Sequence, residues 1–324
     1  EFARKSLGFA EALGRDDLRA LNLITLGTAG FFAPDPDLES ALADVRAGLD
    51  VAVACGDLPQ ASRGYTNLAT LLQLTGELAS AEELALEAWR IAERVGNVPG
   101  MRFTEGNMIE LEGLTGRWQS AERRATAFLE GSEKSGHYQD VAALFARSMI
   151  GLAGDRAEIA RADVGRAMVV GRRIMDPQVL IPALATGAFV YGELDEGDQA
   201  RALLEELEPG PFIASVPQAF FAASKLGIAE DFRERVRPFG RGTRWDRAAD
   251  AVLDGRWVDA ADVYDEIGTR PFAALAALRA TQTLVEQGRR AEADEQLLRA
   301  LAFYRSVGAT RYIREGESLL AASA

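Results

Sequence analysis

The phrase Gly-Arg-Trp-Gln-Ser-Ala at 116–121 returns as Gly-Arg-Trp-Val-Asp-Ala at 255–260. A glycine-led phrase can cradle a phosphate, because backbone N–H groups at a defined spacing converge on its oxygens. That use needs a strand in front and a GxxxxGK[ST] or GxGxxG spacing. Neither spacing occurs, and Gly240–Gly242 does not continue into one. The expectation is a structural turn, with no cofactor.

Other candidate chemistry is sparse. His137 is the single histidine, so zinc ligation and His-activated nucleophiles have little to build on. Cys55 is the single cysteine and is expected to be a small packed hydrophobe rather than a nucleophile. The pairs Glu82-Glu83 and Glu205-Glu206 are sequence neighbours on helical segments, where adjacent side chains do not face each other. They read as solvated faces and not as acid–base dyads. Arg233, Arg235, Arg237, Arg241, Arg244 and Arg247 crowd one stretch. Such a run can hold an acidic segment or a phosphate. The expectation is instead that these arginines pair with Glu234, Asp246 and neighbouring helices. No catalytic or metal-binding residue is assigned.

Composition narrows the partners. The net charge of −13 over 324 residues opposes general nucleic-acid binding and anionic membranes. No apolar run is long enough to span a bilayer. One cysteine forbids an internal disulfide, which suits a reducing cytoplasm. The chain opens Glu1-Phe2 without Met, as expected of a fragment of a longer protein. The segment 4–14 reads as the second helix of a pair, its apolar face needing an upstream repeat or a partner.

The elements that would position any site are helices in repeat. Segments 76–96, 116–136 and 288–308 align without gaps. In each, Gly leads (Gly76, Gly116, Gly288), Ala follows five residues later (Ala81, Ala121, Ala293), and a second Gly closes the phrase twenty residues on. Gly255, Trp257 and Ala260 repeat the opening of Gly116, Trp118 and Ala121. Asp16, Gly56, Gly96, Gly136 and Asp176 lie forty apart. Apolar positions recur at three and four, as in an amphipathic helix. Glycine suits the turns because a left-handed residue costs it little. Pro59, Pro99, Pro177 and Pro271 open helices, where the missing N–H does no harm. A helix pair of this kind buries its faces only by stacking on neighbours, so the expected fold is an all-α solenoid. Residues 1–200 read as regular long-helix repeats, 201–254 as irregular ones, and 255–324 as shorter repeats with a capping helix, in one continuous solenoid.

The Gly-x-x-x-x-Ala phrase resembles the tetratricopeptide repeat, a helix–turn–helix of about thirty-four residues. With Gly76 at the turn, Tyr65, Leu68, Ala69, Leu72 and Ala81 fall at the family's packing positions; Ala280, Leu284, Ala293, Leu297 and Ala300 do so in the last repeat. The early units are longer, and Glu112 stands where an apolar residue is expected. The long-helix form and the ending at 300–324 resemble the C-terminal arrays of actinobacterial signal-transduction ATPases and LuxR-type regulators. The resemblance implies a non-catalytic regulatory arm that binds a protein or peptide, or other domains of its own chain, in a concave groove. Residues expected on that face are Arg63, Thr66, Asn67, Thr70 and Gln73, then Phe103, Asn107 and Glu110. Asn67 and Asn107 either hold an extended backbone or tie neighbouring helices together. Thr66 and Thr70 stand where the family's chaperone-binding clamp needs Lys and Asn, so that use is not expected. The alternatives are a self-contained sensor, with Phe212, Phe220, Phe221 and Trp245 around a pocket or in the core, and a passive scaffold.

Overall fold

The computed structural model describes residues 2–131 and 138–321. His137 and Gly136 lie outside them. Eighteen α-helices and no strand occur among the described residues. They group into two compact units, residues 1–108 and 109–324. The division falls inside one helix, α6 (Val98–Thr115).

The first unit contains α1 (Phe2–Ala12), α2 (Asp16–Phe31), α3 (Leu38–Cys55), α4 (Leu58–Thr75) and α5 (Leu78–Arg94). Aspartates start two of these helices: Asp37 accepts from Ser40 N at 3.0 Å and Asp57 from Gln60 N at 3.1 Å. Each satisfies one of the orphan N–H groups of a first turn. Small residues set the packing. A Cβ on Gly27 of α2 would lie 2.4 Å from the Ala41 carbonyl oxygen, and one on Gly48 of α3 2.8 Å from the Ile24 nitrogen. The two backbones therefore touch. Gly27→Ala is expected to cost about 1–3 kcal/mol through forced separation of α2 and α3. Gly30→Ala, whose Cβ would find its nearest neighbour at 3.8 Å, should be neutral or mildly stabilising. Urea denaturation of both variants tests this; equal effects would contradict it. Phe2, Phe9 and Leu13 are exposed around α1.

The second unit continues with α7 (Trp118–Glu130), α8 (Asp140–Ala153), α9 (Ala157–Ile174), α10 (Pro177–Glu193), α11 (Gly197–Glu206), α12 (Pro217–Lys225) and α13 (Ala229–Val236). It ends with α14 (Arg244–Leu253), α15 (Trp257–Ile267), α16 (Arg270–Glu286), α17 (Arg290–Val307) and α18 (Thr310–Ala321). Helices α11 to α14 are short, at 10, 9, 8 and 10 residues.

The repeated glycine phrase is a helix joint. Gly76, Gly116, Gly255 and Gly288 all have positive φ. At each, the glycine N–H bonds three residues back and the next N–H five back, as in Glu77 N to Leu72 O at 2.8 Å and Arg256 N to Ala251 O at 2.9 Å. This pair of bonds satisfies the free carbonyls of a helix end. Ala81, Ala121, Ala260 and Ala293 are buried where the next helix approaches. Two joints keep this bonding without glycine. Asp155 (φ 63°) and Asp195 (φ 62°) take the left-handed position, and the following N–H groups bond Gly151 O and Tyr191 O at 2.8 Å. Aspartate tolerates that conformation better than most residues, at some cost in strain.

The second unit closes on itself. Thr269 Oγ1 donates to the Leu114 carbonyl at 2.8 Å. Trp118 Nε1 donates to the Gly113 carbonyl at 3.1 Å, and its ring meets Phe303 of α17 edge-on at 5.3 Å. Helices α16 to α18 thus return to the start of the unit. Glu112, the residue out of place in the repeat pattern, is buried and accepts from Arg124 at 2.8 Å. A charge partner on the adjacent helix lets a carboxylate occupy an apolar slot.

Cys55 corrects an expectation. It is exposed on the last turn of α3, because the apolar stripe of that helix runs through Val45, Leu49 and Ala52 instead.

Candidate functional site

The polar face expected to bind a partner lies on α4 and α6. Arg63, Thr66, Asn67, Thr70 and Gln73 are half-buried on α4. Asn67 Nδ2 donates to Thr28 Oγ1 at 3.0 Å, and Arg63 Nη2 donates to Thr25 Oγ1 at 3.0 Å. Both side chains tie α4 to α2. Thr66 and Thr70 donate to carbonyls one turn back, Ser62 O at 2.9 Å and Thr66 O at 3.1 Å. Such bonds satisfy a hydroxyl within its own helix. Phe103, Asn107 and Glu110 lie on α6, Phe103 exposed and the other two half-buried.

The arginine run is largely spoken for. Arg233 pairs with Asp254 at 2.6 Å, Arg237 with Glu234 at 2.9 Å and Arg247 with Glu266 at 2.7 Å. Arg235 donates to the carbonyls of Leu204 and Leu207, which cap the end of α11. Asp246 serves the backbone N–H of Thr243 at 2.8 Å in a capping box on α14. The run is mainly a set of inter-helix ties.

A cleft of about 610 Å³ opens inside the second unit. It is lined by Glu193, Asp195, Phe221, Ser224, Lys225, Trp257, Arg279, Gln282, Arg311, Arg314 and Glu315. Five helices and one joint supply these groups. The repeat stacking puts the C-terminal ends of α10 and α12, the N-terminus of α15, the middle of α16 and the first turns of α18 around one space.

An ion cluster forms the floor. Glu193, the last residue of α10, is buried, and both its carboxylate oxygens accept from Arg279 Nη2 at 2.9 Å. Arg279 reaches Glu315 with its other nitrogen, and Gln282 Nε2 donates to the same Glu315 oxygen at 2.7 Å. Lys225 Nζ stands 3.5 Å from Glu193 and 3.4 Å from Asp195. Arg311 Nη2 donates to the Glu193 backbone carbonyl. Arg314 pairs with Asp155 at 2.8 Å. The two left-handed aspartates, Asp155 and Asp195, therefore each face a cation of the cleft.

Burial pushes the Glu193 carboxyl up, but Arg279 and then Lys225 pull harder, and it lies below its usual range. Burial likewise disfavours the charged form of Arg279; the charges of Glu193 and Glu315 overcome this and hold it protonated. Tyr304 and Tyr312 stack at 4.8 Å beside the cluster, with both phenols pushed well up by burial.

The aromatic wall is Trp257 on Phe221, stacked at 5.8 Å with 21° between planes. Phe221 also faces Tyr264 at 6.0 Å, Phe272 at 5.9 Å and Phe189 at 6.4 Å. Of the aromatics named from sequence, Phe220 and Trp245 are core, Phe212 is half-buried, and Phe221 backs the cleft. Trp257, expected only as a joint residue, lines the cleft as well. Glu193, Lys225, Arg279, Arg311 and Glu315 are not found by motif reading. Arg279 did carry a signal: it interrupts the apolar run 271–280, where both faces of α16 are buried. A charge there must have a buried partner.

The tetratricopeptide repeat family matches residues 63–95. No curated protein matches the sequence. A solved structure of a Rap protein complexed with competence and sporulation factor aligns with 90% of this chain and 76% of its own, at a TM-score of 0.55 and 11% identity. By fold the chain is an all-α helical repeat of tetratricopeptide-like form.

Proposed function

We propose that this chain is a non-catalytic interaction module that takes a short peptide segment in the cleft of its second unit. The observation that carries this reading is the cleft itself. It has the volume of a ligand site, an aromatic wall at Trp257 and convergent polar groups from four helices and the Asp195 joint. The structure it resembles is of a complex, which supports a binding role for an array of this form. The module serves as a regulatory arm of a larger bacterial, cytoplasmic signalling protein, its partner being a separate chain or another domain of the same one. The polar row of the first unit, from Arg63 on α4 to Asn107 on α6, is a second surface for that partner.

Selection of a random peptide library on the intact chain tests the reading. Selected peptides should lose at least tenfold in affinity on Trp257→Ala and on Ser224→Arg, with thermal melts confirming that both variants fold. Peptides that bind both variants as well as the parent would place binding elsewhere.

A further inference from the structure

Resting on that reading, we infer that the cleft selects a carboxylate-bearing peptide, an acidic side chain seated between Lys225 and Arg311 with an apolar neighbour on Trp257. The argument is one of unmatched donors. The carboxylates of the cleft floor are well supplied: Glu193 accepts twice from Arg279 and faces Lys225, and Glu315 accepts from Arg279 and Gln282. The cations are less well matched. Arg279 has Glu193 and Glu315, and Arg314 has Asp155. Among the described residues Arg311 has no ion pair with a carboxylate. Its hydrogen bond goes to the neutral Glu193 backbone carbonyl, and the side chain stands half-buried on the cleft wall. A guanidinium has five N–H groups to give, and a carboxylate is its geometric match. Lys225 sits 3.4 and 3.5 Å from its carboxylates, and an ammonium has three N–H groups to give.

The placement of Asp195 agrees. Its φ of 62° would suit glycine, yet it carries a carboxylate that faces Lys225 at the rim. An incoming carboxylate takes over that role. Asp195 is thus a resident competitor, and it sits at a position where its removal carries no backbone cost. A neutral ligand would leave Arg311 as it is, and a basic one would also meet Lys225 and Arg314 unfavourably. The −13 charge of the chain opposes acidic ligands only at long range and is screened within about 8 Å at physiological salt.

The test is titration calorimetry on the full chain with N-acetyl-Gly-Phe-Asp-Gly-amide, its Asn counterpart, and citrate as a small carboxylate without the apolar part. The Asp peptide should bind at least tenfold more tightly than the Asn peptide and than citrate. Lys225→Gln and Arg311→Gln should each bring the Asp and Asn peptides to within about twofold of one another, the expected result of losing a charge-assisted bond. Arg311→Lys should restore part of the preference, and Asp195→Gly should raise Asp-peptide affinity several-fold. Equal binding of the two peptides, or a preference that survives Arg311→Gln and Lys225→Gln, overturns the inference. Citrate binding as tightly as the Asp peptide overturns its peptide part. If library peptides depend on Trp257 but are neutral or basic, the carboxylate inference fails and the cleft remains the binding site. If no selected peptide depends on Trp257, the functional reading fails with it.

Discussion

Arg279→Met is expected to cost about 3–5 kcal/mol, because it leaves Glu193 buried with its charge largely unmatched. Glu193 is 4% exposed, and two of its hydrogen bonds come from this one side chain. Lys225 at 3.5 Å only partly compensates. Urea denaturation at neutral pH measures the loss. Adding Glu193→Gln to Arg279→Met should recover much of it, since the uncompensated charge is then gone. A double variant no more stable than Arg279→Met would mean that packing, and not charge, decides this site.

The pH dependence has a definite sign. Glu193 has a folded pKa below its unfolded value of about 4.3. Its contribution is therefore fully present above the unfolded pKa and is lost as pH falls through the folded one. In Arg279→Met the main group pulling that pKa down is absent, and burial pushes the carboxyl up. The stability gap between parent and variant should then be widest near neutrality and narrow on acidification, beginning above the unfolded pKa as the raised carboxyl of the variant takes up its proton and continuing below it in the parent.

Phe221→Ala is the second large effect, expected at about 3–5 kcal/mol for a fully packed ring. Phe221 is 4% exposed and faces four other aromatic rings within 6.4 Å. Removing it also takes away the surface on which Trp257 lies, so fold and cleft fail together. Phe221→Leu keeps most of the volume and should cost less than half as much. Thermal denaturation of the two variants separates volume from ring stacking. A Leu variant as damaged as the Ala variant would show that the stacked geometry outweighs filled space.

Neither expected loss falls on the repeat pattern: Arg279 shows only as a charge inside an apolar run, and Phe221 only as one aromatic of the irregular middle. The helix pairs were legible because their signals are local. A left-handed glycine, an alanine five residues on and a proline in the first turn each act within one turn of helix, and Gly76, Gly116, Gly255 and Gly288 show them directly. Asp155 and Asp195 occupy equivalent joints, yet a pattern keyed to glycine passes over them. Cys55 was misplaced because a small sulfur residue beside a turn fits either face of a helix; only the packing of α3 settles which.

The sequence by itself determined that this chain is helical, that it repeats, and where most joints lie. It also set the net charge of −13. Which repeats close on one another was decided by tertiary structure alone. The Thr269 to Leu114 bond spans 155 positions, Arg311 to Glu193 spans 118 and Arg279 to Glu193 spans 86. No periodicity encodes contacts at such separations, because they depend on the small rotation each stacked pair adds to the last. The cleft is the sum of those rotations, and its charges meet only after the unit has closed.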